Sequence, residues 1–314
     1  MGLIRFASVS IVVTVTVVSV GLLLAQWNTL QVWSSTAHYG EQGTFFADVD
    51  ADGRADAIAV NENGILVRRS EGTKFGSLEP WLTRPHYGTE GTDFRDVSGD
   101  GRADAILVNQ SVIDVRPATI SHFIDVSRGW LTGSFYGDIG TYFADVTGDA
   151  TGDAIAVNRQ GIQVARSTGT RFRESETWKD TPYYGDIGTY VADVTGDNRA
   201  DIIVVNRSGI GVARSTGSRF QENETWLDEP FYGAVSTAFA DVTGDERADA
   251  IAITENQIIV RPSTGTHFDH PQVWVEDMKP AQIGIFFADV TGNGRADVIF
   301  VDRQEIRVKV SPLR

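Results

Sequence analysis

The chain contains no cysteine. Disulfides and thiolate-bound metals are therefore excluded, and any metal chemistry must use oxygen or imidazole donors. Imidazole is scarce too. His38, His86, His122, His267 and His270 show no metal-ligand spacing, and His38 and His86 each precede a Tyr-Gly pair, which points to a structural role. Neither a Gly-x-Ser-x-Gly elbow nor a phosphate-binding loop occurs. With no catalytic constellation in view, the expectation is a protein that is not an enzyme. Beyond the first 25 residues no stretch keeps a helical period. Positive charge is in deficit: 27 Lys and Arg face 42 Asp and Glu, a formal net charge of −15. That balance disfavours nucleic acid, whose binders are usually basic, and it repels anionic membranes.

One long apolar run is present. Arg5 is followed by Phe6 to Ala25, rich in Val, Leu and Ile, and no charge returns until Glu41. The run is long enough to span a bilayer. Residues 1–25 read as a signal peptide or a signal anchor, and either one exports the rest. Membrane contact is expected only through this segment if it stays uncleaved. Almost no linker separates it from the remainder of the chain, which favours cleavage near Ala25. The expected location is secreted or at the cell surface, where calcium is plentiful enough to fill weak sites.

Residues 26–314 are built from a repeat. An acidic loop begins at Asp48, Asp96, Asp145, Asp193, Asp241 and Asp289, at intervals of 48, 49, 48, 48 and 48 residues. A fixed period of this length is an array of one supersecondary unit. In the fourth unit, Gly188 to Val194 reads as a strand entering the loop, Ala200 to Asn206 as the strand leaving it, Ile210 to Ser215 as a third, and Arg219 to Trp226 as a polar fourth. In the first unit, Ala57-Ile58-Ala59-Val60 is apolar on both faces, which suits a strand buried on both sides. A four-stranded sheet, buried inside and polar outside, repeated around an axis, is a β-propeller blade.

Aromatic landmarks set the register. Phe75, Phe123, Phe172, Phe220 and Phe268 lie 27 residues after each first aspartate, and Trp81, Trp130, Trp178, Trp226 and Trp274 follow six residues later, or seven in the second unit. The extra residue between Phe123 and Trp130 is expected to be a bulge in the outer strand. The sixth unit lacks its outer strand, whereas Trp33 and Trp27 fit the tryptophan and phenylalanine slots at the other end. The fold expected is an all-β, six-bladed propeller with four-stranded blades, whose N-terminal strand closes the last blade.

The loop carries the chemistry. Positions 1, 3, 5 and 9 present oxygen side chains and position 7 a backbone carbonyl, an all-oxygen set that suits calcium. Position 6 wants glycine, because the turn needs positive φ. Loop one presents Asp48, Asp50, Asp52 and Asp56, with the carbonyl of Arg54. Loop two presents Asp96, Ser98, Asp100 and Asp104, with Arg102. Loop three has Asp145, Thr147, Asp149 and Asp153, with Thr151, but Ala150 stands at position 6. Loop four has Asp193, Thr195, Asp197 and Asp201, with Arg199 and a tolerable Asn198. Loop five has Asp241, Thr243, Asp245 and Asp249, with Arg247 and a less suitable Glu246. Loop six has Asp289, Thr291, Asn293 and Asp297, with Arg295. Up to six Ca2+ ions are expected, with loop one the tightest and loops three, five or six the weakest. The competing reading is a set of Asx-turns in which each aspartate caps its own backbone. Three or four carboxylates packed together without a cation repel one another.

These loops, with Tyr-Gly at 39–40, 87–88, 136–137, 184–185 and 232–233, resemble the FG-GAP or VCBS repeats that build integrin α-subunit head propellers and many secreted bacterial proteins. The resemblance spans residues 26–314. It implies a calcium-stabilised propeller with ions in the loop joining the first two strands of each blade. Integrin heads have seven blades, so a seven-bladed ring is the alternative to six. The family's Gly-Ala-Pro is replaced by Val-Asn, as at Val60-Asn61, and the last unit has Gln282-Ile283-Gly284 in place of Tyr-Gly. Integrin ligand specificity therefore does not carry across.

Two function classes remain. One is an adhesive or lectin-like module for a glycan or an extracellular protein. Tyr136-Gly137-Asp138 and Tyr184-Gly185-Asp186 set an aromatic beside an aspartate at equivalent places between blades. The other is a scaffold without a small ligand, with a hydrolase as the weaker reading. A monomer is expected. Arg69, Arg166 and Arg214, which end third strands, should pair with acids or cover apolar surface.

Overall fold

A computed structural model describes residues 30–126, 128–279 and 281–311. The leader at 1–25 and the Trp27 slot lie outside the described residues. The described chain forms six four-stranded antiparallel sheets, five of them running in sequence order from an inner to an outer strand. Blade one is Gly43–Ala47, Asp56–Asn61, Gly64–Arg68 and Glu79–Leu82. Blade six draws its first three strands, Gly284–Ala288, Asp297–Val301 and Ile306–Lys309, from the end of the sequence. Its outer strand is Gln31–Ser34, which pairs antiparallel with Ile306–Lys309. The ring is thus six-bladed and closed by the N-terminal strand.

The alternation of small and branched residues explains how the blades stack. Ile58 and Val60 of blade one share a buried cluster with Ala105 of blade two, and Ile106 and Val108 share one with Ala154 and Ala156 of blade three. A large face meets a small face at most seams, which lets the sheets approach closely. Each fully buried isoleucine contributes roughly 2–3 kcal/mol by leaving water. The aromatic landmarks also work between blades. Phe75 packs on Trp33, Phe123 on Trp81, Phe172 on Trp130, with ring centroids 5.5, 5.3 and 5.6 Å apart. The backbone N–H of each of these phenylalanines donates to the carbonyl of the same tryptophan, as Phe75 does to Trp33 at 3.0 Å.

The bulge expected in blade two is placed differently. All six outer strands shift register at the tryptophan, as between the partners of Ile65 and Leu66 around Trp81. In blade two, Asp114 pairs with Gly129 and Val115 with Arg128, the same register relative to Trp130. The extra residue therefore lies between Phe123 and Arg128, ahead of the paired strand. The bulge is common to every blade because the large indole must turn inward from a polar strand.

Tyr-Gly precedes the inner strand in blades one to five. A Cβ on Gly40 would lie 2.2–2.4 Å from the Gly43 carbonyl and from the backbone of Val60, so only glycine fits where the connection crosses the sheet end. His38 is 3% exposed and shares a 2.9 Å hydrogen bond with the Ala57 carbonyl; His86 repeats the arrangement with Ala105 at 3.1 Å. Burial holds both rings neutral, lowering their pKa to about 4. These histidines join strands, as expected.

Candidate metal centre

Each acidic loop joins the inner strand of a blade to its second strand, so the six loops ring one face. Hydrogen bonds between neighbours bind them into a circle. The N–H at position 8 donates to the position-1 carbonyl of the preceding blade, always at 2.7 Å: Ala103 to Asp48, Gly152 to Asp96, and so on to Ala55 with Asp289 across the closing seam.

Within a loop the first aspartate organises the turn. Asp48 Oδ1 accepts the N–H of Ala51 at 2.8 Å and of Asp52 at 3.2 Å, and Oδ2 accepts that of Gly53 at 2.8 Å. Asp96, Asp145, Asp241 and Asp289 do the same in their loops, and Asp193 accepts the N–H groups of Gly196 and Asn198. The hydroxyls at position 3, on Ser98, Thr147, Thr195, Thr243 and Thr291, donate to the first aspartate. At position 5, Asp52, Asp100, Asp197 and Asp245 pair with Arg54, Arg102, Arg199 and Arg247. Asp149 instead accepts Thr151 Oγ1, and Asn293 Oδ1 accepts the N–H of Arg295.

The position-9 aspartates, Asp56, Asp104, Asp153, Asp201, Asp249 and Asp297, are fully buried. Asp56 Oδ2 accepts from Val49 N at 3.2 Å and Oδ1 from Ser70 N at 2.7 Å, which ties the loop to the turn between third and fourth strands. Burial pushes these carboxyls up: Asp56 to about 8, Asp104, Asp201 and Asp297 to about 7, Asp153 and Asp249 to about 6. The neighbouring aspartates Asp50 and Asp52 add to the rise at Asp56.

Loop one differs because position 3 is an acid. Asp48, Asp50 and Asp56 bring carboxylate oxygens within 4.8 Å of one another, the three-carboxylate cluster among the described residues. Asp52 is turned out to Arg54. Asp50 Oδ2 reaches Arg69 at 3.4 Å, while the buried Oδ1 has no hydrogen-bond partner. Burial, then the charge of Asp52, raises the Asp50 pKa. An orphaned buried oxygen aimed among carboxylates fits a hard divalent cation, which would pair that oxygen and remove the repulsion. Asp48, Asp50 and Asp56 would hold it, and it would supply positive charge that stiffens the turn.

The positive φ expected at position 6 is present at Gly53, Gly101, Ala150, Asn198, Glu246 and Gly294. A second left-handed residue at position 4 was not anticipated: Ala51, Gly99, Gly148, Gly196, Gly244 and Gly292. The signal was there, since five of six loops carry glycine at that place. Four of these glycines also make room for the arginine of the next loop; a Cβ on Gly292 would lie 3.0 Å from Arg54 Cγ. The backbone N–H that anchors position 9, from Ser70, Ala118, Ser167, Ser215, Ser263 and Ser311, was likewise missed. Arg69, Arg166 and Arg214 pair with Glu79, Glu176 and Glu224.

On the opposite face the Tyr-Gly segments border grooves between blades. One, of about 510 Å3, is lined by Phe135, Tyr136, Asn158, Gln163, Thr177 and Lys179. Its equivalent one blade on, about 440 Å3, is lined by Tyr183, Asn206, Gly211, Thr225 and Asp228. Tyr183 is 6% exposed and its buried hydroxyl has no hydrogen-bond partner. Asp138 and Asp186 are engaged by Arg159 and Arg207, while Tyr136 and Tyr184 stay exposed.

Four-stranded blades, each bearing an Asp-rich turn between its first two strands, define a propeller of acidic-loop repeats. The profile of the FG-GAP-like repeat matches residues 48–107, 145–204 and 193–252, and the chain belongs to that family. No curated protein sequence matches it. Among solved structures it is similar to an Agrocybe aegerita lectin that recognises non-reducing terminal N-acetylglucosamine, at 21% identity over 89% of this chain and 81% of that one, with a TM-score of 0.62. It is also similar to part of the Photorhabdus luminescens Tc holotoxin pore, at 15% identity over 91% of this chain, with a TM-score of 0.69. The matched region is 15% of that toxin chain. At these identities both likenesses establish the fold.

Proposed function

We propose that the chain is an exported, calcium-binding propeller that recognises glycans and carries out no catalysis. The observation that carries this reading is the recurrence, one blade apart, of an aromatic-walled groove, one copy of which holds the unpartnered Tyr183 hydroxyl. Aromatic rings with a few fixed amides and hydroxyls suit a sugar's apolar face and its hydroxyl rim. Repeated weak sites gain avidity on a multivalent glycan. The likeness to a lectin for terminal N-acetylglucosamine supports the same direction and suggests the first sugar to test.

Calcium belongs to the acidic loops on the other face, most tightly in loop one and more weakly in the five with fewer carboxylates. There it stiffens the ring and takes no part in contact with sugar. Export through the leader delivers the chain to a calcium-rich medium, where it works as a monomer. A glycan array and a titration with an oligosaccharide ending in N-acetylglucosamine, each in calcium, test the reading. Binding is expected, with Tyr183→Phe weakening it about fivefold through loss of one hydrogen bond of about 1 kcal/mol. An array with no hit in calcium overturns the glycan reading and favours a scaffold for a protein partner.

A further inference from the structure

We propose that the central channel, at the inner strand of blade two, is a binding site for a small zwitterion, an amino acid or short peptide whose ammonium meets Asp93 and whose carboxylate meets Arg95.

The inner strands line the channel in tiers. The third residue of each is Phe45, Asp93, Tyr142, Tyr190, Ala238 or Phe286, and the fifth is Ala47, Arg95, Ala144, Ala192, Ala240 or Ala288. In three blades the third-residue ring packs on a ring of the next blade: Phe45 on Phe94, Tyr190 on Phe239 and Phe286 on Phe46, with centroids 5.0, 5.0 and 5.2 Å apart. Blade two interrupts this girdle with a carboxylate. Two residues on, it replaces alanine with Arg95.

A third departure lies against the second. The residue closing the acidic loop is alanine in five blades and Gly152 in blade three. A Cβ on Gly152 would lie 2.7 Å from Arg95 Cγ, so the glycine makes room for the arginine. Three breaks in the repeat therefore meet at one place. Five other blades build the same seam without them, so the fold does not require them.

Asp93 and Arg95 stand on one face of the strand, about 7 Å apart along it. Among the described residues the Asp93 carboxylate accepts only the N–H of Phe94, at 2.7 Å, and Arg95 makes no ion pair. Burial raises the Asp93 pKa, and the nearby charge of Arg95 lowers it again without the two closing to an ion pair. Both line a cavity of about 530 Å3 with Thr44, Phe45, Phe94 and Phe286, and Arg95 also borders the adjoining 690 Å3 of the channel. A singly charged ligand would satisfy one group and be repelled by the other. A neutral sugar would strip water from both charges without a counter-charge, which is costly. A zwitterion answers both, and the rings accommodate its side chain and favour its ammonium.

This site is separate from the grooves between blades, so either can fail alone. The test is a thermal-shift and calorimetric screen of the full chain against the twenty free amino acids and glycine di- and tripeptides. N-acetylated and amidated forms and glucose serve as controls. At least one zwitterion is expected to bind, and blocking either end to weaken it tenfold or more. Asp93→Tyr and Arg95→Ala restore residues of the sister blades, so each is expected to keep or raise the ligand-free melting temperature while abolishing binding; Tyr183→Phe should leave it intact. A panel with no binder overturns the proposal, as does binding unchanged in both variants. A lower ligand-free melting temperature in both variants would mark a structural pair instead. Glucose binding lost in Asp93→Tyr would overturn the choice of a zwitterion.

Discussion

Replacing Asp50 by asparagine should change stability in opposite directions with and without calcium. In the metal-free protein the Asp50 carboxylate lies within 4.8 Å of Asp48 and Asp56, with Oδ1 buried and unpartnered. Near neutral pH Asp56 is largely protonated, since its pKa is raised to about 8, so Asp52, and after it Asp48, supply the repelling charge. Two unit charges about 4.8 Å apart repel by about 3 kcal/mol at an effective dielectric of 20. The N–H groups around Asp48 and nearby water screen part of this, and the 3.4 Å contact with Arg69 is lost. A net gain of about 1 kcal/mol, roughly 2 °C in melting temperature for a chain of this size, is expected in EDTA. With calcium at a hundred times its dissociation constant, the wild type gains about 2.7 kcal/mol, whereas a site weakened tenfold gains about 1.4 kcal/mol. The two should therefore exchange order, or nearly meet, when calcium is added. Scanning calorimetry of both proteins in EDTA and in calcium measures this. If Asp50→Asn is less stable in EDTA as well, the unpartnered oxygen is not the source of strain, and the case for a cation among these carboxylates is lost.

The buried position-9 aspartates predict a pH dependence. Their folded pKa values lie above the unfolded value, so the folded chain holds more protons and metal-free stability should fall as pH rises from about 4 to about 8. Calcium should flatten that fall, and melting curves at pH 5, 6.5 and 8 with and without EDTA check it. Gly40→Ala should cost about 3 kcal/mol or more, because its Cβ meets backbone on three sides. Gly53→Ala, with φ of 81° and open space around it, should cost only about 1–2 kcal/mol; urea unfolding compares them. Ser70→Ala removes the Oγ bond to the Val290 carbonyl across the closing seam, and should cost about 1 kcal/mol by the same measurement.

The fold was legible because each of its parts was written six times. A strand pattern that is ambiguous once becomes firm when Asp, Phe and Trp return in step, and the lone Trp33 then had one place to go. Local geometry of the acidic turns was partly legible. Position 6 announced its left-handed turn, whereas position 4 did not, because Ala51 breaks the glycine pattern and the clearance for the next loop's arginine is a contact between repeats. What a single repeat could not reveal was contact between repeats. The packing of Phe75 on Trp33, the carbonyl ring through Asp48 and Asp289, and the room that Gly152 leaves for Arg95 all join residues of neighbouring units. Such pairs carry no spacing signal within one unit. The different fates of Asp50 and Asp52, one buried among acids and one turned to Arg54, also depend on side-chain direction that spacing alone does not give.

The outer strand of blade six has a consequence for biogenesis. Gln31–Ser34 emerges from the ribosome long before its partner, Ile306–Lys309. At about 5–20 residues per second, that interval is roughly a quarter of a minute to a minute. Throughout it the early segment is an orphan and the growing arc ends in a bare edge, open to pairing with another copy. Whatever shields the nascent arc in that window sets the yield of closed rings as much as the strength of the finished seam does.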